Sequence, residues 1–576
     1  MNAAPGCQAM RITTTDTCHH LDSGHYRLTV SRTDASAELE GWLTLSLLAS
    51  ADTSAGRDET YETLPPVLVE RENLAIFDFP QRTTAWETKT VRLTCTPETV
   101  AVEVRVEGRG ALADVTLLGG RAVLNGRSGT FRSGVHARGL FNPTPTHPVQ
   151  VVRPVSVPAA LTVVGDASPG RLHAVFSPPP LVLAFGKGEP AGATDVPGGP
   201  WLGASVRAGI AGLTFTELAY EPLDGGALLR FGYEGHTVVS GTWTSPAVVL
   251  RAAASPWEAI SHHRADLLEH GLAPEYGGER PAWWSEPIFC GWGAQCARAG
   301  RGSPAELSRQ ELYDAWLSRL AGHGFVPGTV VIDDRWQLAY GDPRPDPDKW
   351  PALREWIAAR HERGQRVLLW WRAWAADGLP AEECVTDAGG RPVAADPSNP
   401  AYRRRVQEIM ERLLGDLGAD GFKIDFTQWS PSGSQLKAYG PAWGPALLHE
   451  LLATLYAAAK RVKPDALMAT HTPHPAFADV TDMIRLNDVL EVGPRGEPVP
   501  ALDQLRFRHA VVTHAMPGHL VDTDQWPMPS RADWLAYARA QPAHGVPALY
   551  YVEAIDNSLE PISGADLRMV ARWWAR

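Results

Sequence analysis

Cysteine is scarce. The six in 576 residues (Cys7, Cys18, Cys95, Cys290, Cys296, Cys384) include no C-x-x-C pair, which argues against a disulfide framework and fits no zinc site. Basic charge is in deficit: Lys+Arg 53 against Asp+Glu 65 gives a net −12. That balance repels phosphate backbones and anionic lipid, so neither nucleic acid nor a membrane surface is an expected partner. Long apolar runs are missing too, with no stretch approaching the ~20 residues of a membrane span. The N-terminus, MNAAPGCQAM, lacks the basic-then-apolar order of a signal peptide. The expectation is a soluble, cytoplasmic protein. No Gly-rich phosphate turn follows the first strand of the second half, which argues against a doubly wound open sheet. THTPH (Thr470–His474) holds two histidines, but Pro473 excludes a helix and no carboxylate repeats in a ligand pattern, so no metal is expected.

Tryptophan is abundant: 17 of the 21 lie after residue 250. Indole faces cover the apolar C–H faces of sugar rings and also fill barrel cores. The length exceeds what one hydrophobic core organises, so at least two domains are expected.

The chain has two textures. From Leu21 to about Leu250, short Val/Thr-rich runs alternate and break at Gly, Pro and Asp. Examples are Thr90–Cys95, Thr99–Gly108, Leu172–Phe176, Gly226–Tyr233 and Thr237–Trp243. They predict an N-terminal β-sandwich over 1–254. Ser255 and Pro256 open an N-capped helix in a linker over 255–280. Over 281–576, strand-like runs alternate eight times with amphipathic helices, the pattern of a (β/α)8 TIM barrel. The strands are Pro287–Trp292, Thr329–Asp334, Arg366–Trp371, Gly421–Phe426, Ala466–Thr472, Met483–Asp488, His519–Asp524 and Pro547–Glu553.

Barrel chemistry sits at the C-terminal ends of the strands. Those ends carry Trp292, Asp333, Asp334, Trp370, Trp371, Arg372, Lys423, Asp425, His471, Arg485, Asn487, Asp488, Asp522, Asp524 and Glu553. Carboxylates accept pairs of hydroxyl hydrogens and indoles cover apolar faces, so the ring suits a polyhydroxy ligand. In Gly421–Phe426, strand alternation puts Lys423 and Asp425 on the face opposite Phe422, Ile424 and Phe426. The apolar set faces the helices, and Lys423 with Asp425 faces the mouth. An ammonium beside Asp425 keeps it ionised, as a nucleophile requires; a purely structural Lys–Asp pair is the alternative. Strict alternation on strand six turns Asp488 away unless the chain has already left the strand. On the residues alone Asp522, Asp524 and Glu553 remain candidates for the acid beside it. The acidic loop Asp342–Trp350 is solvated or rims the pocket, and Glu189–Pro200 reads as an ordinary loop.

Four segments taken together are similar to a known group. VIDDRWQ (Val331–Gln337), ADPSNPAYRRRV (Ala395–Val406), ADGFKIDF (Ala419–Phe426) and IRLND (Ile484–Asp488) resemble motifs of clan D glycoside hydrolases. These are the α-galactosidase and raffinose-synthase families, glycoside hydrolase family 36 and relatives, with the second segment shared by family 31. The resemblance implies a retaining glycosidase with Asp425 as nucleophile and Asp488 as acid/base. It implies Lys423 and Arg485 at hydroxyls near the anomeric centre and Asp333 and Asp334 on the 4- and 6-hydroxyls of galactose. Trp292 would form the floor, with Trp370, Trp371 and His471 completing the substrate-binding set. No cofactor is implied, and the expected partner is an oligosaccharide or glycoside; a homo-oligomer is left open. Arg335 replaces the small residue of D-D-G-W, and the C-terminal β domain common in family 36 is not expected here. The sugar, and hydrolysis against transfer, stay open. An α-glucosidase or transglycosylase on the same barrel, and a non-catalytic carbohydrate-binding protein, are the competing readings. A metal-dependent barrel hydrolase would need a His-rich set of strand ends that the sequence does not supply.

Overall fold

The computed structural model describes residues 10–132, 139–143, 149–151, 159–163, 176–187, 196, 198–223, 226–490 and 498–575. Residues 172–175 and most of the loop 189–200, both in segments singled out above, lie outside the described residues.

From Arg11–Thr14 to Ala247–Ala253, the described residues form 21 strands in one almost wholly antiparallel, hydrogen-bonded system. Thr88–Cys95 shows why they do so, with every second side chain buried from Lys89 to Cys95. Val91, Leu93 and Cys95 meet Phe77, Val102 and Val104 in a core belonging to this half. Gly226–Tyr233 and Thr237–Trp243, read above as separate strands, are one strand, Gly226–Thr244, paired along most of its length with Val100–Leu117. Glu234, at φ 56, and the following Gly235 bend it without ending it.

The helix Pro256–Glu269 begins as its residues dictate. The Ser255 hydroxyl accepts the Glu258 N–H at 3.1 Å, a cap that stabilises by about 1 kcal/mol. The helix packs between the strand Trp201–Arg207 and a later helix, Ala501–Ala515. Arg207 anchors it through Asp266, its Nε donating at 2.7 Å.

Eight parallel strands follow: β1 (Ile288–Cys290), β2 (Thr329–Ile332), β3 (Arg366–Arg372), β4 (Gly421–Asp425), β5 (Leu467–Thr470), β6 (Met483–Arg485), β7 (Leu520–Asp522) and β8 (Ala548–Leu549). They pair in chain order, with β8 against β1. A parallel bridge Asp522↔Val546, with Val546 N–H donating to Val521 O at 2.7 Å, joins β7 to the approach of β8 and closes the ring. The outer strands of the prediction shrink. Trp292 belongs to the helix Trp292–Ala299, and Tyr550 to Glu553 have already left β8. The barrel core takes in Phe141, Phe176, Val182 and Trp201 from the first half, so the two halves share one packed interface.

Candidate active site

Backbone strain concentrates at one end of the barrel. Arg335 (φ 71), Trp374 (φ 68), Phe426 (φ 60), Asn487 (φ 68) and Asp524 (φ 49) are left-handed non-glycine residues. They lie just beyond β2, β3, β4, β6 and β7. Such conformations cost about 1–3 kcal/mol each and gather where side chains must be aimed. Asn487 resolves the alternation problem on β6: the strand ends at Arg485, the left-handed turn reverses the facing, and Asp488 swings back toward the mouth.

Arg485 organises the centre. Fully buried, it donates through Nη2 to Asp425 Oδ1 and through Nη1 to Asp524 Oδ2, both at 2.9 Å. Nη1 also lies 3.9 Å from Asp488 Oδ1. Asp425 further accepts the Phe426 N–H at 2.9 Å and the Trp370 indole N–H at 3.2 Å. Its side chain keeps 15% exposure. Burial alone would raise its pKa, but Arg485, Lys423 and His471 outweigh burial and hold it well below the ordinary value. Asp425 is an ionised carboxylate with a face on the pocket.

The ammonium expected beside Asp425 has another partner. Lys423 Nζ donates to Asp333 Oδ2 at 2.7 Å and both side chains are buried. Burial presses the Lys423 pKa down, yet Asp333 carries it above the ordinary lysine value. Asp333 also accepts the Cys290 thiol at 2.9 Å and the Asp334 N–H at 2.8 Å. Its own N–H rests on the Tyr313 hydroxyl at 2.9 Å. Asp333 is therefore committed to protein groups, and of the expected Asp333–Asp334 pair only Asp334 opens to the pocket. Asp334 Oδ1 accepts the Tyr340 hydroxyl at 2.8 Å, and burial lifts its pKa to about 6.

Strand alternation separates the two tryptophans of β3. Trp370 points inward to Asp425, while Trp371 packs edge-on against Phe422 at 5.5 Å among the helix-facing residues. Trp371 leaves the set. Trp292 sits on the rim, T-shaped to Trp526 at 5.8 Å; Cys290 takes the inward place at the end of β1. His471 is wholly buried, its Nε2 3.2 Å from the Thr427 hydroxyl and 3.7 Å from Asp425 Oδ1. It lies behind the carboxylate. His474 instead accepts the Ala476 N–H at 3.2 Å, so the two histidines of THTPH diverge. Among the described residues no cluster of His, Cys, Asp and Glu is arranged to hold a metal ion.

The four acid candidates separate by environment. Glu553 faces outward, 42% exposed and paired with Arg298 at 3.1 Å. Asp524 is fully buried and bound by Arg485 and the N–H groups of Gln525 and Trp526. Asp522 accepts the Asp524 N–H at 2.9 Å, and burial lifts its pKa to about 6. Asp488 keeps 33% of its side chain exposed, and burial, then Asp524, raise its pKa to about 7. Of the four, it alone is both accessible and protonated near neutrality.

The first half of the chain contributes residues that no strand-end pattern could have revealed. Ser177 N–H donates to His471 O at 3.0 Å. Glu234 Oε2 accepts the Gly433 N–H at 2.8 Å, and His236 Nε2 meets Gly433 O at 3.1 Å while stacking on Trp443 at 3.6 Å. The Glu234 and His236 contacts clamp the loop after β4, which carries Trp429. The acidic loop Asp342–Trp350 is likewise packed: Trp350 is buried and Lys349 Nζ reaches Arg335 O at 3.3 Å. Among the described residues no helix is long and apolar enough to cross a membrane.

No protein-family profile matches the chain, and no curated protein matches it in sequence. Solved structures do match. The α-galactosidase from Lactobacillus brevis is 10% identical with a TM-score of 0.52, over 98% of this chain and 82% of that one. The α-galactosidase from Thermus thermophilus, solved with stachyose, is 18% identical with a TM-score of 0.53, over 89% and 99%. A cycloalternan-degrading enzyme from Trueperella pyogenes, solved with a covalent intermediate, is 15% identical with a TM-score of 0.51, over 89% and 72%. At these identities the likeness is one of fold: an N-terminal β-rich part followed by an eight-stranded parallel barrel.

Proposed function

We propose that this chain is a retaining glycosidase acting on α-linked sugars, with galactosides the first class to test. It would use residues 1–254 as a β domain, 255–280 as a linker and 281–576 as the catalytic barrel. One observation carries the reading: a single buried guanidinium, Arg485, bonds Asp425 through one nitrogen and approaches Asp488 with the other. It helps hold Asp425 ionised, while at Asp488 burial and then Asp524 outweigh it and raise that pKa to about 7. Two carboxyls with divergent pKa values in one pocket are what double displacement needs.

Asp425 attacks the anomeric carbon as Asp488 gives its proton to the leaving oxygen, forming a glycosyl ester on Asp425. Asp488, now a carboxylate, takes a proton from water, which displaces Asp425 with net retention. Arg485 and the Trp370 indole hold Asp425 in place, His471 backs it, and Asp334 with Tyr340 receives hydroxyls on the far side. Lys423 and Asp333 support that wall from below. The fold neighbours, α-galactosidases and an enzyme solved with a covalent intermediate, favour the same chemistry.

The test is turnover of p-nitrophenyl α-D-galactopyranoside, with product anomers followed by NMR. Asp425→Asn is expected to lose turnover by roughly 10³-fold or more with unchanged circular dichroism. Full activity in that variant, or inverted product, refutes the assignment.

A further inference from the structure

Two cations at the mouth lack the close carboxylate pairing of the pocket's other cations, although Arg372 is near enough to Asp334 to act against the rise in its pKa. Arg372 ends β3 on the same face as Trp370, in register with Asp425. Its guanidinium lies over Tyr340 at 4.8 Å, Trp429 at 5.0 Å and Phe426 at 5.5 Å. Arg335 lies over the same Tyr340 ring at 4.7 Å. Among the described residues neither guanidinium forms an ion pair, whereas the pocket's other cations, Lys423 and Arg485, are both bonded to carboxylates. The nearby carboxyl, Asp334, is hydrogen-bonded to Tyr340 instead. Two half-buried like charges meeting on one ring repel each other and are partly stripped of water. Cation–π contact offsets part of that cost, but less of it than an oxyanion between them would.

Arg335 is also in a costly conformation. At φ 71 glycine would be free of strain, while an arginine bears a steric penalty. The Lys349 ammonium on its carbonyl helps to hold the turn. On a chain of net −12, this is a local concentration of positive charge around the Tyr340 ring that bonds Asp334.

We infer that the substrate carries an anionic substituent (a carboxylate, a sulfate or sulfonate, or a phosphate ester) held between Arg335 and Arg372 above Tyr340. Planar guanidiniums engage such oxyanions through paired N–H donors. The inference rests on the glycosidase reading of the same pocket and specifies its substrate class.

The test uses full-length Asp425→Asn protein and calorimetric titration with methyl α-D-galactopyranoside, the corresponding methyl galacturonide, and its 6-sulfate and 6-phosphate. At least one anionic ligand is expected to bind tenfold or more tighter than the neutral one. The preference should shrink as salt rises, and the anion that leads identifies the substituent. Adding Arg335→Gly or Arg372→Gln should reduce the preference to within about threefold. Arg335→Gly suits its backbone, so its melting temperature should not fall, and lost preference cannot be ascribed to unfolding. Equal or weaker binding of all three anions in folded protein overturns the inference. Turnover by the wild-type chain separates the two readings. Hydrolysis of a neutral aryl α-galactoside without anionic preference removes the inference and leaves the glycosidase. Arginine-dependent anionic binding with no turnover of neutral or anionic aryl glycosides keeps the subsite and removes the glycosidase.

Discussion

Replacing Asp488 with asparagine should remove turnover and stabilise the protein together, because the same environment does both jobs. The pKa of Asp488 is raised from 3.8 to about 7 by burial, then by Asp524. The folded chain therefore keeps a proton that the unfolded chain releases between those values. Protons bound in excess by the folded state mean that stability falls as pH rises through the window. Three pH units correspond to ~4 kcal/mol at 1.36 kcal/mol per unit. The side chain is one-third exposed, so solvent screening reduces this to about 2 kcal/mol. Asparagine does not titrate, so it escapes the penalty. The variant should gain about 2 kcal/mol over wild type at pH 8 and nothing at pH ~2, where Asp488 is protonated in both states. By calorimetry the gain reads as a rise of roughly 2–6 °C at pH 8. Activity should move the other way. General-acid catalysis contributes about 10²–10⁴-fold, so kcat on an α-galactoside with an unactivated leaving group should fall by that factor. The wild-type kcat/KM should decline about tenfold per unit above pH 7, and the variant should lose that limb. A variant that melts lower than wild type at pH 8, or retains activity within tenfold, would refute the reasoning.

Gly291→Ala would place a Cβ 1.9 Å from the Tyr313 hydroxyl, which both supports Asp333 N–H and donates to Gln295 Oε1 at 2.9 Å. Displacing that ring should cost about 2–5 kcal/mol from overpacking and unpaired polar groups, seen as a lower urea midpoint; an unchanged midpoint contradicts it. Glu234→Ala frees the Gly433 N–H and loosens the loop that carries Trp429. KM should rise severalfold with kcat held within about twofold, and an unaltered KM would show that the clamp does not reach the substrate.

Period-two alternation was enough to turn Lys423 and Asp425 to the same side of β4 and to order eight strands around a barrel. These are local matters: each strand must put its apolar face toward the helices, whatever lies opposite. Ser255 and Pro256 likewise marked their helix without help from elsewhere. Trp370 and Trp371, however, both read as pocket residues in the sequence, and only the structure parts them. What the pattern could not contain is which cation meets which carboxylate. Lys423 bonds Asp333, not Asp425, and Arg485 takes Asp425 and Asp524 together, because those pairings depend on how far each strand end rises around the ring. Asp488 faces the pocket only because Asn487 bends left-handed, and Glu553 turns outward only because β8 ends at Leu549. The contacts of Ser177, Glu234 and His236 with the barrel arise where chain segments hundreds of residues apart come to rest. Sequence determines which face a side chain occupies; the closed, staggered ring determines its neighbour, since that neighbour is set by the register of every strand at once.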